Sequence, residues 1–280
     1  MTPAPEPTVD CRIERRGEGG EVAWVTLDYR ARLNILNSPL ILQLTERFRS
    51  LRDRPELRAA VLAGAGERAF IGGADINEMM GLDRFSAEGF ITRLHELCAT
   101  IRALPVPVIA GIRGYCLGAG LEIAASCDLR VASRDSTFGM PEVRVGIPSV
   151  IEAALLPRMI GWGRASRLLL TGDMISAEEA GRWGLVEAVV EAERLEATVE
   201  AWLESIFRCG AQAVRLQKAL LTEWENLALP AAIERGIRAF GEAYRGAEPR
   251  MMMEAFINRQ RAPRGGEMSY SQDTEAPGER

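Results

Sequence analysis

The sequence contains a single histidine, His95, among its 280 residues. A metal site built from several histidines is therefore impossible, and a histidine-dependent catalytic triad would have to use this one residue. His95 lies between Glu88 and Ala103, where apolar residues recur at helical spacing, and no nucleophile-elbow motif is near it. We interpret His95 as a residue on the surface of an amphipathic helix.

Cysteines are also few, and they are dispersed. The chain has no C-x-x-C pair, and an odd number of cysteines argues against a disulfide framework: Cys11, Cys98, Cys116, Cys127 and Cys209. Scattered cysteines and one histidine also argue against a zinc centre. We predict reduced thiols that serve as small core residues, and no metal.

The sequence has neither an excess of basic residues nor a long apolar run. The net charge is -5, and no basic stripe carries interleaved aromatics, which argues against nucleic acid as a partner. No apolar stretch approaches the roughly 20 residues of a membrane span, and residues 1–8 lack the features of a secretory signal. We therefore expect a cytoplasmic protein without a membrane partner.

Strand and helix patterns alternate to about Val190, and the remainder is helical to about Arg261. Strands are predicted at Val22–Leu27, Ala59–Ala63, Pro105–Ala110, Leu129–Ala132 and Val186–Val190. Helices are predicted at Ser38–Arg52, near Asn77, at Glu88–Ala103 and at Leu121–Cys127, with a capping box at Ser176–Glu179. Proline predicts a loop at Thr137–Glu142. The pattern indicates an α/β core with a helical tail.

The stretch Tyr115–Glu122 places two glycines where a predicted strand gives way to a predicted helix. The first N–H groups of a helix have no intrahelical partner and lie at the positive end of the helix dipole, so they can hold a developing negative charge. Glu122 adds a carboxylate to the same helix. The stretch therefore predicts an oxyanion site with an acid–base group beside it.

Two further features suit the same chemistry. Gly72–Asp75 forms a second loop in which backbone can approach a ligand closely. Glu142 follows Glu122 by 142 − 122 = 20 residues, with one predicted strand between them, so the chain can return beside the helix. Two carboxylates next to an oxyanion site suit proton transfer at a carbon activated by a polarised carbonyl.

Two other interpretations fit less well. A dinucleotide fingerprint would require a third glycine at Ile123, and the helical C-terminal half replaces the second mononucleotide unit. A glycosidase also uses two carboxylates, but 6% aromatic residues provide few surfaces for sugar stacking.

Taken together, the motifs resemble the enoyl-CoA hydratase/isomerase (crotonase) superfamily from about Val22 to Gly265. The matching segments follow the family order: Asn34–Asn37, Ala69–Ile76, Pro107–Ala110, Gly114–Glu122, Cys127–Asp128, Phe138–Glu142, Leu170–Ala177 and Gly184–Val186. The resemblance implies an α/β fold, the family's spiral of ββα units with a C-terminal helical region. It also implies an acyl-CoA thioester substrate, a homotrimer or a hexamer made of two trimers, and no cofactor, since coenzyme A is part of the substrate.

Composition at the two ends and the resemblance between them lead us to expect four parts in the chain. Residues 1–8 form a disordered N-terminus and residues 9–195 the crotonase-like core. Residues 196–264 form a helical region for trimerisation and CoA contact, and residues 265–280 a disordered tail.

The resemblance assigns roles residue by residue. The backbone N–H groups of Ala74 and Ala119 would form the oxyanion hole. Glu122 would activate water for attack at C3, and Glu142 would donate the proton at C2. Substrate or CoA contacts are expected from Arg32, Phe70, Gly73, Asp75, Ile76, Asn77, Gly118, Phe256 and Arg259.

The implied activity is enoyl-CoA hydration, catalysed by a hydro-lyase. Alternatives are an isomerase, another enolate-type reaction such as hydrolysis or decarboxylation, or a non-catalytic family member. One segment departs from the family pattern: Val143–Pro157 carries serine, valine and isoleucine where hydratases have small glycines. We expect this loop to narrow the acyl pocket, and Glu152 to add a third carboxylate.

Overall fold

The computed structural model describes residues 6–261, except for the side chains of Glu18, Arg259, Gln260 and Arg261. The strands are β1 Thr8–Arg15, β2 Glu21–Asp28, β3 Leu57–Gly64, β4 Ala69–Ile71, β5 Val108–Ile112, β6 Tyr115–Leu117, β7 Leu129–Ser133, β8 Thr137–Gly139, β9 Met174–Ser176 and β10 Ala188–Val190. The helices are α1 Ser38–Arg52, α2 Ile76–Met80, α3 Arg84–Arg102, α4 Ala119–Ser126, α5 Leu156–Ile160, α6 Trp162–Thr171, α7 Ala177–Trp183, α8 Leu195–Phe207, α9 Ala211–Trp224, α10 Leu229–Ala243 and α11 Glu248–Arg261. Two 3-10 helices, Pro141–Val145 and Ile151–Leu155, follow β8.

The strands form two sheets that the chain visits in turn. The larger sheet has the order β1-β2-β3-β5-β7-β10, and the smaller has the order β4-β6-β8-β9. Each of β3, β5 and β7 is followed directly by a strand of the smaller sheet and then by helical structure. This repetition is the predicted spiral of ββα units.

The smaller sheet determines where three loops meet. Strands β4, β6 and β8 are parallel neighbours, so their carboxyl ends lie along one edge of the sheet. The segments that leave this edge begin at Gly72, Gly118 and Met140. The two glycine loops and the loop that carries Glu142 are thereby brought side by side.

The central strands of the larger sheet, β3, β5 and β7, are buried on both faces, which is typical of parallel strands. Along β3, Ala60 and Leu62 face the main core with α1 and α3, while Ala59 and Val61 face a second cluster. This second cluster contains Leu195, Val199 and Leu203 of α8. The first helix after the core therefore covers the far face of the sheet.

Some local predictions were wrong. Strand β1 was not predicted and includes Thr8, which was assigned to the disordered N-terminus. The segment predicted as a loop at Thr137–Glu142 contains β8, which ends two residues before Pro141. Cys209 is exposed, whereas Cys98, Cys116 and Cys127 are buried as expected.

The chain ends lie largely outside the described residues. Of the residues predicted to be disordered, 1–5 and 265–280 lie outside the described residues. Within residues 6–261, none of the helices combines the length and apolarity needed to cross a bilayer.

A buried asparagine joins the first motif to the first glycine loop. Asn34 is fully buried with φ at 54°. Its side-chain oxygen accepts from the N–H of Tyr29 at 2.8 Å, and its amide donates to the carbonyls of Ala65 at 3.1 Å and Ala69 at 2.7 Å. These three bonds fix the backbone on both sides of the segment that leads into β4.

We predict that Asn34→Ala lowers the free energy of unfolding by about 3 kcal/mol, because buried backbone groups lose their partners. Urea titration followed by circular dichroism measures the change. Asn226→Ala, at an exposed position, is the control and should change stability by less than about 0.5 kcal/mol. Equal unfolding midpoints for the two variants would contradict the role of Asn34.

Candidate active site

A cavity of about 310 Å³ opens at the carboxyl edge of β4, β6 and β8. Ala74, Ala119, Glu122 and Glu142 all line it. Most of the remaining wall is apolar and comes from α2, α3 and the loop after Glu142: Ile76, Met79, Phe90, Ile91, Leu94, Val145, Ile147 and Val150. The cavity therefore combines an apolar wall with two carboxyl groups at one end.

Two backbone N–H groups in this cavity are available to a ligand. Ala119 is the first residue of α4, so its N–H has no partner within the helix. Around Ala74, the Leu36 N–H donates to Gly73 at 2.8 Å and the Leu36 carbonyl accepts from Asp75 at 2.7 Å. Within residues 6–261, neither the Ala74 nor the Ala119 N–H donates to another protein group.

Glu122 is buried in α4 with 4% of its surface exposed. Its Oε1 accepts a hydrogen bond from the Ala153 N–H at 3.3 Å. Burial, and then the neighbouring Glu142 carboxylate, raise the pKa of Glu122 from 4.5 to about 8. At neutral pH Glu122 therefore carries a proton that it can give up to a nearby group.

Glu142 lies in the first turn of the 3-10 helix after β8. The Ser149 hydroxyl donates to its Oε2 at 2.7 Å. A Cβ placed on Gly118 would lie only 2.3 Å from Glu142 Oε1, so the carboxyl group sits directly over the glycine. Sequence reasoning missed the contact from Ser149, because a serine seven residues further along a loop carries no local signal.

The third carboxylate, Glu152, lies outside the cavity lining. It is 7% exposed, and its Oε1 is 2.9 Å from His95 Nδ1. His95 is on the surface of α3 as expected, with half of its side chain exposed, but it contacts this buried group. Ile151, just before Glu152, has φ at 38°, a conformation that costs a β-branched residue about 1–3 kcal/mol.

The residues predicted to contact substrate or CoA separate into two groups. Gly73, Ile76 and Gly118 line the cavity. Arg32 and Asp75 form an ion pair at 3.5 Å, and Asp75 caps α2 by accepting from the N–H of Asn77.

The remaining predicted contacts are Phe70, Phe256 and Arg259, and the first two do not line the cavity. Phe70 is a correction, because it is fully buried in the core and lies outside the cavity lining. Phe256 is exposed on α11, and no described residue of α11 lines the cavity. The side chain of Arg259 lies outside the described residues.

Comparison with known proteins identifies the family. The sequence matches the family profile described as Enoyl-CoA hydratase/isomerase over residues 17–266. It is 35% identical over 243 residues to the short-chain-enoyl-CoA hydratase of Clostridium acetobutylicum, covering 86% of this chain and 93% of that protein. It is also 35% identical over 231 residues to the crotonyl-CoA hydratase of Syntrophomonas wolfei, covering 82% and 89%.

Structural comparison identifies the same family. The crystal structure of an enoyl-CoA hydratase from Bacillus anthracis aligns with a TM-score of 0.84 at 29% identity, covering 89% of this chain and 96% of that one. The chain therefore belongs to the enoyl-CoA hydratase/isomerase family. The predicted crotonase-like fold with its C-terminal helices is confirmed.

We predict that Gly118→Ala displaces the Glu142 carboxyl group and destabilises the protein by about 1–3 kcal/mol. Gly118 has φ at 52°, which disfavours any Cβ, and the new methyl group would overlap Glu142 Oε1. A crystal structure of the variant and urea unfolding measure the two effects. Gly163→Ala is the control, because a Cβ there meets nothing within 4 Å. An unmoved Glu142 in a variant of unchanged stability would refute the prediction.

Proposed function

We propose that this protein is an enoyl-CoA hydratase, a hydro-lyase that adds water across the double bond of a 2-enoyl-CoA. The observation that carries the proposal is the meeting of Glu122 and Glu142 in one cavity beside two unpaired N–H groups. The activities named for the Clostridium acetobutylicum and Syntrophomonas wolfei relatives support it.

The first step is polarisation of the substrate. The thioester oxygen accepts from the N–H groups of Ala74 and Ala119, with the dipole of α4 directed at the same point. Withdrawal of electrons into this oxygen makes C3 of the conjugated acyl group electrophilic. Because the donors are backbone groups, this role does not depend on the alanine side chains.

The second step is a pair of proton transfers. In the free protein the raised pKa of Glu122 keeps the pair's shared proton there. A water between the carboxyl groups passes this proton to Glu142 and leaves Glu122 as the base. Glu122 then removes a proton from water as its oxygen bonds to C3, and Glu142 gives its proton to C2 as the enolate collapses. Water addition involves no net oxidation or reduction, and every step above uses groups of this chain, so we propose no metal or redox cofactor.

The CoA moiety is proposed to leave the cavity past Arg32, whose guanidinium is half exposed next to Asp75 and can meet a phosphate. Phe256 and Arg259 are proposed to contact CoA from α11. In that case α11 contacts CoA bound in the cavity of another subunit, not in the cavity of its own chain.

A homotrimer or a pair of trimers would place α11 in this way. An apolar stripe on α10 supports such an assembly: Leu229, Ile233, Ile237 and Phe240 are all more than half exposed in the single chain. We propose this stripe as part of the subunit contact.

Glu122→Gln and Glu142→Gln should each lower kcat for crotonyl-CoA hydration by at least about 10²-fold, since each removes a proton-transfer group. Loss of absorbance by the conjugated thioester measures the rate. Glu88→Gln is the control, because Glu88 is exposed on α3 and pairs only with Arg84 among the described contacts.

Other outcomes distinguish the alternatives. Conversion of a 3-enoyl-CoA without hydration would assign the protein to the isomerases, and release of free thiol would indicate a hydrolase. Binding of acyl-CoA with no turnover of any chain length would indicate a non-catalytic member.

The pH dependence of kcat/KM should have a basic limb near pH 8. Below this pH the glutamate pair retains the single proton that C2 receives. As the pH rises through the pKa of Glu122, the free enzyme loses that proton and the rate falls. Initial rates between pH 6 and 9.5 test the profile. A rate that increases through pH 8 would show that the reaction requires only an ionised Glu122.

A further inference from the structure

The two oxygens of the Glu142 carboxyl group have different surroundings. The Ser149 hydroxyl donates to Oε2 at 2.7 Å, and this is the only side-chain hydrogen bond to Glu142 among residues 6–261. Oε1 lies over Gly118 and accepts no hydrogen bond from a described protein group. One oxygen is therefore held by the protein, and the other is left to meet a ligand in the cavity.

Little else restrains this side chain. Glu142 and Ser149 are half-buried, whereas the residues that connect them, 143–148, are all exposed. A glutamate has three rotatable side-chain bonds and samples several rotamers near solvent unless a contact selects one. The pairing of β6 with β8 brings the backbone of Glu142 close to Gly118 but does not fix these bonds. The hydrogen bond from Ser149 is therefore the interaction that selects the observed rotamer.

The backbone that presents the Ser149 hydroxyl is itself restrained. The Ile147 N–H donates to the Glu142 carbonyl at 3.2 Å, which closes the turn between the two ends of the loop. Pro148 directly precedes Ser149, and its ring fixes its own φ. The hydroxyl thus comes from a closed turn, so its position relative to the Glu142 backbone is defined.

The same segment reaches the other carboxyl group. Further along it, the Ala153 N–H donates to Glu122 Oε1 at 3.3 Å. Between the two donors, Ile151 has φ at 38°, a strained conformation that persists only where surrounding contacts require it. One short stretch of chain therefore holds both carboxyl groups, Glu142 through a hydroxyl and Glu122 through a backbone amide.

We propose that Ser149 is a positioning residue that orients the Glu142 carboxyl group and keeps Oε1 over Gly118, at the reacting end of the cavity. The proposal rests on the hydration mechanism above, in which Glu142 gives its proton to C2. Because the hydroxyl occupies Oε2, Oε1 is the oxygen that exchanges protons with water and substrate. Proton transfer requires a close, aligned donor and acceptor, so Ser149 acts on the chemical step and not on acyl-CoA binding.

Ser149→Val and Ser149→Thr form a matched pair, because their side chains have nearly the same shape and only threonine keeps the hydroxyl. Ser149→Val should lower kcat for crotonyl-CoA about 3- to 10-fold, as expected for one lost hydrogen bond, with KM changed by less than about twofold. Ser149→Ala should show the same loss without added bulk. Ser149→Thr should keep kcat within about twofold of the wild-type value.

Ser50→Ala is the control for removal of a serine hydroxyl. Ser50 is exposed on α1, and its hydroxyl donates only to the Arg47 carbonyl among the described contacts. Its kcat should equal that of the wild type. Wild-type kcat in both Ser149→Ala and Ser149→Val would overturn the proposal, as would an equal loss in Ser149→Thr and Ser149→Val.

A double substitution shows whether Ser149 acts through Glu142. When Glu142→Gln has removed the acid, Ser149→Ala should cause almost no further fall in kcat, because residues that act as a unit are not additive. A fall as large as in the wild-type background would mean that Ser149 acts elsewhere, and the proposal would be wrong.

The orientation of Glu142 can also be measured without turnover. Crystal structures of the ligand-free, full-length variants should show the carboxyl group displaced from Gly118, or spread over several rotamers, in Ser149→Ala and in place in Ser149→Thr. A carboxyl group that stays over Gly118 in Ser149→Ala would contradict the positioning role. A protein that hydrates no enoyl-CoA would refute the proposed function, and the crystal structures would still test the orientation.

Discussion

Hydrogen bonding between three strands of only three residues each holds the cavity together. Strands β4, β6 and β8 are parallel, so the chain leaves each of them at the same edge of the smaller sheet. One exit supplies the N–H of Ala74, the second the N–H of Ala119, and the third the carboxyl group of Glu142. Because the groups come from separate turns of the spiral, their spacing depends on strand register rather than on any single loop.

Close packing at the carboxyl edge of β4, β6 and β8 affects the ionisation of the carboxyl groups there. Glu142 lies over Gly118, and Glu122 is buried in the helix that begins one residue later. Burial and the neighbouring Glu142 carboxylate raise the pKa of Glu122 to about 8, so Glu122 holds its proton near neutral pH. The same burial that makes Glu122 expensive to ionise therefore supplies the proton that the proposed mechanism transfers.

The sequence was most informative where function depends on local pattern. Glycines at a strand-to-helix junction predicted free N–H groups at the start of the helix, among which the family resemblance selected that of Ala119. One strand between Glu122 and Glu142 predicted that the two would meet. Contacts between distant residues were not predictable in this way. His95 and Glu152 are 57 residues apart and meet only because α3 packs against a 3-10 helix.

Two other incorrect predictions concern a buried side chain and a strand at the edge of a sheet. Phe70 stands inside a family motif, but β4 is covered on every side, so its side chain joins the core. Strand β1 alternates apolar residues, Val9, Cys11 and Ile13, with charged ones and pairs with β2 at the edge of the larger sheet, so its sequence lacks the continuous apolar run of an internal strand.

The two N–H groups proposed to polarise the thioester belong to the main chain, whereas most of the cavity wall consists of side chains. Amino-acid substitution can replace the wall one residue at a time but leaves an amide at positions 74 and 119 whatever residue other than proline stands there. Under the proposed function, activation of the carbonyl and selection of the acyl group are thus inherited separately. An enzyme that works as proposed can change which thioester it accepts without first rebuilding the means of activating it.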